Sequence, residues 1–197
     1  MTQKRYRRRI TALTALSLAL SGQGLTARAQ STMWEAYTDA GNRAVEYGDY
    51  AQAEKQYQYA VAAGETMSGK KGAGTSKLGQ ALNNLAEIYR IQGRYAEAEP
   101  LYLRAIQVKE KALGNTHPSL ATSYNGLADL YRAQGRFTQA EPMYLSALKI
   151  NEHPLRANQR QVANTLTSLA DMYRQTGRNR EADALDAKVT QIRWSHP

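Results

Sequence analysis

A fourteen-residue segment returns three times at a fixed interval. It reads EIYRIQGRYAEAEP from Glu87 to Pro100, DLYRAQGRFTQAEP from Asp129 to Pro142, and DMYRQTGRNREADA from Asp171 to Ala184. A fixed period constrains the fold more than any composition does. Each copy must take the same local structure, and a unit this short buries its apolar face only by stacking on its neighbours.

The spacing within each copy defines that local structure. Leu82, Leu85, Ala86 and Tyr89 fall at i, i+3, i+4 and i+7, an apolar stripe of helical period. Gly93 ends the stripe, as a glycine just past a helix end does. Ala98, Leu101, Tyr102, Ala105 and Ile106 begin a second stripe. The next copy runs Tyr124, Leu127, Ala128, Tyr131, Gly135, then Ala140, Tyr144 and Ala147. The last runs Leu166, Leu169, Ala170, Tyr173, Gly177, then Ala182, with Asp186 where Tyr144 stood. A looser copy precedes them: Tyr37, Ala40, Gly41, Ala44, Gly48, then Ala53, Tyr57 and Ala60. The pattern predicts an all-α chain of helix–turn–helix units over 34–67, 78–118, 119–158 and 159–193. A short segment, 30–33, leads in, and a tail, 194–197, follows. The Gly/Lys/Ser-rich stretch 68–77 reads as a flexible linker.

These residues resemble the tetratricopeptide repeat. Its pattern is met by Leu82-x2-Leu85-Ala86-x2-Tyr89 followed by Ala98-x3-Tyr102, and by Tyr124-x2-Leu127-Ala128-x2-Tyr131 followed by Ala140-x3-Tyr144. The 42-residue period, with ALNNLAEIYR, AEPLYLRAI and LGNTHP, is similar to the kinesin-light-chain type of this repeat. The resemblance implies an α-solenoid with a right-handed superhelix. It also implies a concave groove, lined by the first helix of each repeat, that binds extended peptides. The last copy departs from the pattern at Asn179 and Asp186, as a terminal capping repeat with a polar outer face would. Trp194 lies just beyond its apolar positions, so weak self-association is a further expectation.

The N-terminus reads as an address. Lys4, Arg5, Arg7, Arg8 and Arg9 precede an uncharged stretch from Ile10 to Leu20, too short to span a bilayer comfortably. Ala27-Arg28-Ala29 fits a small-x-small cleavage site, with Gln30 as the new N-terminus. The expectation is a cleaved signal peptide over 1–29 and an exported protein, periplasmic or extracellular, with no stable membrane anchor. The net charge of +9 would otherwise suggest nucleic acid. Removing 1–29 takes away six of the 26 basic residues and no acids, leaving 20 against 17, a net +3. Nucleic acid is therefore not the expected partner. The absence of Cys excludes disulfides and thiolate chemistry.

Catalytic motifs are missing. His117 and His153 each precede a proline and read as linker structure, with no further ligand at metal spacing. No nucleophile-elbow or phosphate-loop order is present; GKKGAGTSK over Gly69–Lys77 lacks the spacing and the preceding strand. The chain is read as a non-enzyme without cofactor or metal. The tyrosines at repeat positions read as core rather than as a stacking surface for bases.

One polar pattern remains. Asn83, Glu87 and Arg90 share a helix face at i, i+4 and i+7, and so do Asn125, Asp129 and Arg132, and Thr167, Asp171 and Arg174. The row lies about 100° around the helix from the apolar stripe. Two readings stay open. The acids and arginines form intrahelical pairs contributing ~0.2–0.5 kcal/mol each, or a ladder between repeats. Alternatively they line the groove that the resemblance implies, where side-chain amides hold a peptide backbone and the charges select its side chains. The expected function is capture of a segment of a partner protein. The rivals are a structural or self-assembling module, and a cytosolic adaptor if the N-terminus is no signal.

Overall fold

Glycine sets the turns. Gly48, Gly93, Gly135 and Gly177 have φ between 70° and 77°, a left-handed conformation that costs a residue with a Cβ. Around Gly93 the glycine N–H donates to the Arg90 carbonyl at 3.0 Å, and the Arg94 N–H donates to the Tyr89 carbonyl at 2.8 Å. Gly135 and Gly177 carry the same pair of bonds. This is the Schellman motif, which satisfies the last carbonyls of one helix while aiming the chain into the next.

The computed structural model describes residues 27–68, 73–151 and 159–195. All regular structure among these residues is helical: α1 (Ala27–Glu46), α2 (Tyr50–Ser68), α3 (Ala73–Ile91), α4 (Tyr95–Leu113), α5 (Pro118–Ala133), α6 (Phe137–Asn151), α7 (Gln159–Gln175) and α8 (Asn179–Ser195). They fall into two compact units. One, up to Arg94, holds α1–α3; the other, from Tyr95, holds α4–α8. Within the first, α1 packs on α2 and α2 on α3. Within the second, each helix packs on the next, and α5 also touches α7.

Two boundaries differ from the sequence expectation. Helix α1 already begins at Ala27, across the expected 30–33 lead-in. Helix α3 begins at Ala73, so the second half of the expected 68–77 linker is helical. Lys77 shows why. Its ammonium donates to Ser31 Oγ at 2.6 Å and to Glu35 Oε1 at 2.9 Å, and lies 4.9 Å from the Trp34 ring centroid. Three contacts from α1 hold the start of α3, and composition alone does not reveal them.

The cores follow the apolar stripes. In the first unit Trp34, Ala60, Met67 and Ala81 form a buried cluster with Tyr37, Val61 and Ala63 against it. In the second, Ala98, Ala105, Ala128, Ala140 and Ala147 are fully buried and let helices approach closely. Tyr102 and Tyr144 fill the space between them, also with no exposure. The approach is tightest at Gly126, where a Cβ would come within 2.4 Å of the Tyr102 ring. Tyr57, Tyr89, Tyr131 and Tyr173 are buried as the periodicity predicts. Tyr59, which no repeat position explains, stacks at 5.3 Å on Tyr37.

Candidate interaction surface

The Schellman turn decides where an arginine sits. The residue after the turn glycine folds back over the third residue from the helix end. In the last three turns that residue is arginine and its target is tyrosine. Arg94 lies 4.0 Å from the Tyr89 ring centroid, Arg136 4.2 Å from Tyr131, and Arg178 3.8 Å from Tyr173, each a cation–π contact. Each guanidinium also reaches the second helix of the preceding repeat. Arg94 pairs with Glu54 at 2.8 Å, Arg136 with Glu99 at 2.6 Å, and Arg178 with Glu141 at 2.8 Å. Arg136 and Arg178 bond both oxygens of their carboxylate, and the Tyr131 and Tyr173 hydroxyls donate to those same carboxylates at 2.9 and 2.7 Å. The hydrogen bond from Arg136 holds the Glu99 carboxyl below its usual range, and Arg178 does the same for Glu141. Burial, then the bonded carboxylate, pushes the Tyr173 phenol up to about 12. These Tyr–Arg–Glu nodes pin repeat to repeat within each unit. Sequence reasoning passed over their arginines and glutamates, although all three arginines recur in YRxxGR at the 42-residue period.

The residues expected in the groove take a different arrangement. In the first unit, Arg90 bonds Glu87 through Nε at 2.9 Å and Nη2 at 2.5 Å, while Asn83 Oδ1 is buried without a partner. In the second, Tyr144 rises from α6 between the charges of α5: its hydroxyl donates to Asp129 Oδ1 at 2.5 Å and accepts from Arg132 Nε at 3.2 Å. Arg132 and Asp129 are 3.6 Å apart. Burial works against the Arg132 charge, but Tyr144, Asp129 and Asp171 outweigh it and raise its pKa. Burial, reinforced by Asp129, raises that of Tyr144. On α7, Arg174 bonds Asp171 at 3.1 Å and also Asp186 of α8, which replaces the tyrosine at that position. Tyr57 and Asn42 make the equivalent contact in the first repeat, at 2.7 Å.

The amides and hydroxyls of the row are partly committed. Asn125 Nδ2 donates to Thr165 Oγ1 on the next repeat at 2.7 Å, leaving its Oδ1 buried and unpartnered. Thr167 donates to the Ala163 carbonyl. Asp129 and Arg132 keep roughly a quarter of their side-chain surface exposed, and Asp171 and Arg174 roughly half.

Two further residues have local roles. His117 is the N-cap of α5: its Nδ1 accepts the Ser119 N–H, and Pro118 occupies the first turn. His153 lies outside the described residues, as does most of the expected signal segment. Lys109 is buried between α4 and α5, donating to the Ser119 carbonyl at 3.0 Å and to Ser123 Oγ at 2.7 Å. Its equivalents in the neighbouring repeats are Gly64 and Asn151, both also buried. Among the described residues no group of His, Cys, Asp and Glu is placed to hold a metal ion, and no helix is long and apolar enough to cross a membrane.

Comparison with known proteins agrees with this architecture. Two family models, both of the tetratricopeptide repeat, match residues 77–153 and 162–193, together more than half of the chain. The chain belongs to the tetratricopeptide-repeat proteins. Solved structures are similar to it as well. The crystal structure of BtubC (BKLC) from P. vanneervenii matches with a TM-score of 0.75 at 22% identity, over 99% of this chain and 78% of that one. A Podosopora anserina protein of nearly identical TPR-like repeats, described as a putative kinesin light chain, matches at a TM-score of 0.63 and 20% identity, over 98% and 97%. A singly substituted form of that repeat protein gives 0.65 and 19% over the same shares. At these identities the likeness carries the fold alone. No curated protein matches the chain. Tetratricopeptide repeats generally mediate protein–protein interaction, and their fold is typically a non-catalytic scaffold.

Proposed function

We propose that this is an exported protein-binding module that captures an extended segment of a partner on the polar rows of its first-in-repeat helices. The rows are Asn125, Asp129 and Arg132 on α5 with Thr167, Asp171 and Arg174 on α7, and the equivalent Asn83, Glu87 and Arg90 on α3. One observation carries the reading. Arg94, Arg136 and Arg178 form ion pairs from repeat to repeat within each unit, whereas Arg132 and Arg174 pair with carboxylates of their own repeats. These last two are held in place by Asp129, Tyr144, Asp171 and Asp186 with guanidinium surface left open. A pre-positioned guanidinium loses little side-chain freedom when it binds. The partner is a protein or peptide of polar or mixed charge. Pull-down by the full chain and by an Arg132→Ala/Arg174→Ala variant tests this. The expected result is loss of the wild-type partners with an unchanged circular dichroism spectrum. Retention of every partner by a folded variant refutes it.

Export rests on the basic, apolar and Ala-x-Ala order of residues 1–29. Cleavage between Ala29 and Gln30 would remove only the first three residues of α1. N-terminal sequencing of protein recovered outside the cytoplasm should begin at Gln30; an intact Met1 on a cytoplasmic protein points to an adaptor instead. A second reading, self-association, is favoured by Trp194, which is 80% exposed near the end of α8. Light scattering over a concentration series separates it from a monomeric binder.

A further inference from the structure

Two arginines of the last helix pair share one cleft. Arg90, Arg94, Arg132, Arg136, Arg174 and Arg178 each pair with a carboxylate. Arg160 and Arg193 have no acid partner among the described residues, and they line one cleft between α7 and α8. The cleft measures about 350 Å³, and the described residues lining it include no carboxylate. Gln159 and Asn164 add amide groups; Ala163, itself buried, and half-buried Ile192 make an apolar wall. Arg193 lies in the last turn of α8, where a cation offsets the negative helix end. No such role exists for Arg160, which sits in the first turn of α7, where there is no acid.

The cleft also has a fixed place on the repeat. Arg160, Asn164, Thr167, Asp171 and Arg174 follow i, i+4, i+7, i+11 and i+14 spacing and share one stripe of α7. Arg193 lies two turns beyond Asp186 on α8. The stripe is thus acidic near the turn, where Asp171 and Asp186 share Arg174, and basic at the far end, roughly 10–17 Å away at 1.5 Å per residue.

We infer that this cleft binds a carboxylate carried on an apolar body. Guanidinium forks and amide N–H groups match the planar oxyanion, and the apolar wall favours such a group over a fully hydrated inorganic anion. The carboxylate can come from a free organic acid or from a chain lying along the stripe. The second source rests on the peptide-binding reading above; the first does not.

Titrating the ¹⁵N-labelled full chain with N-acetyl-leucine, N-acetyl-leucinamide, inorganic phosphate and a hexapeptide ending in leucine tests the inference by NMR. N-acetyl-leucine is expected to shift the side-chain amides of Gln159 and Asn164 saturably, and the neutral amide is not. Arg160→Gln and Arg193→Gln should each weaken it about tenfold or more while the circular dichroism spectrum stays unchanged. Tighter binding of the hexapeptide supports the chain as the source. Equal or weaker binding supports a free-acid site and counts against the peptide reading alone. Absence of saturation, equal binding of phosphate, or wild-type binding by a folded Arg160→Gln/Arg193→Gln variant overturns the inference.

Discussion

Lys109 makes the sharpest test of how this array is held together. It is 4% exposed, bonds only a carbonyl and a hydroxyl, and has no carboxylate beside it among the described residues. Burial lowers its pKa from 10.5 to about 8. At about 1.4 kcal/mol per unit, keeping it charged in the folded protein at pH 7 costs about 3 kcal/mol relative to the unfolded chain. The proton is bound more weakly in the folded state. Stability therefore rises with pH between 8 and 10.5, by up to about 1.4 kcal/mol per unit, as the unfolded chain keeps a proton that the folded one has lost. The equivalent positions, Gly64 and Asn151, are also buried but carry no charge. Replacing Lys109→Met should accordingly stabilise the protein at pH 7 by about 2–3 kcal/mol, somewhat under the electrostatic figure because Ser123 loses a hydrogen bond. Urea unfolding followed by circular dichroism at about pH 7, 8.5 and 9.5 measures it. The variant's advantage should shrink at each step. A variant less stable than the wild type at pH 7, or an advantage independent of pH, refutes the reasoning.

Four other outcomes follow from the same structure. Gly135→Ala should cost about 1–2 kcal/mol through its left-handed backbone alone, because nothing lies within 4 Å of the added methyl. Gly126→Ala, whose methyl meets the Tyr102 ring, should cost about 1–3 kcal/mol, read as a shift of the urea midpoint. Glu99 and Glu141 have lowered carboxyl pKa values, so their contribution is present above the ordinary carboxylate range and lost as pH falls through the lowered values. A Glu99→Gln/Glu141→Gln variant should show a flatter acid-unfolding profile below about pH 4.5. The Tyr173 phenol, raised from 10.0 to about 12, favours the folded state fully below pH 10 and loses that contribution between pH 10 and 12; Tyr173→Phe should remove that part of the alkaline transition in circular dichroism.

Much of this architecture is legible along the chain. Apolar residues at helical spacing, a glycine one turn past each stripe and a 42-residue period determine helices, turns and the tyrosine–alanine core. All of them depend on local geometry, which sequence spacing records directly. The identity of the pinning charges does not. Glu87 and Arg90 stand close in sequence, and they do bond each other. The contacts that tie repeats together join Arg136 to Glu99 and Arg178 to Glu141, 37 residues apart. Only the left-handed turn, which folds each arginine back over its tyrosine, brings those partners within reach. The start of α3, set by Lys77 meeting Glu35 some 42 residues away, was hidden for the same reason. So was the burial of Lys109: periodicity places position 109 on an inward face, but only the packing of α4 on α5 decides that an ammonium must stay there without a counter-charge. Spacing along a helix fixes direction. Which charge ends beside which depends on how far one helix stands from the next, and that distance belongs to the packed structure.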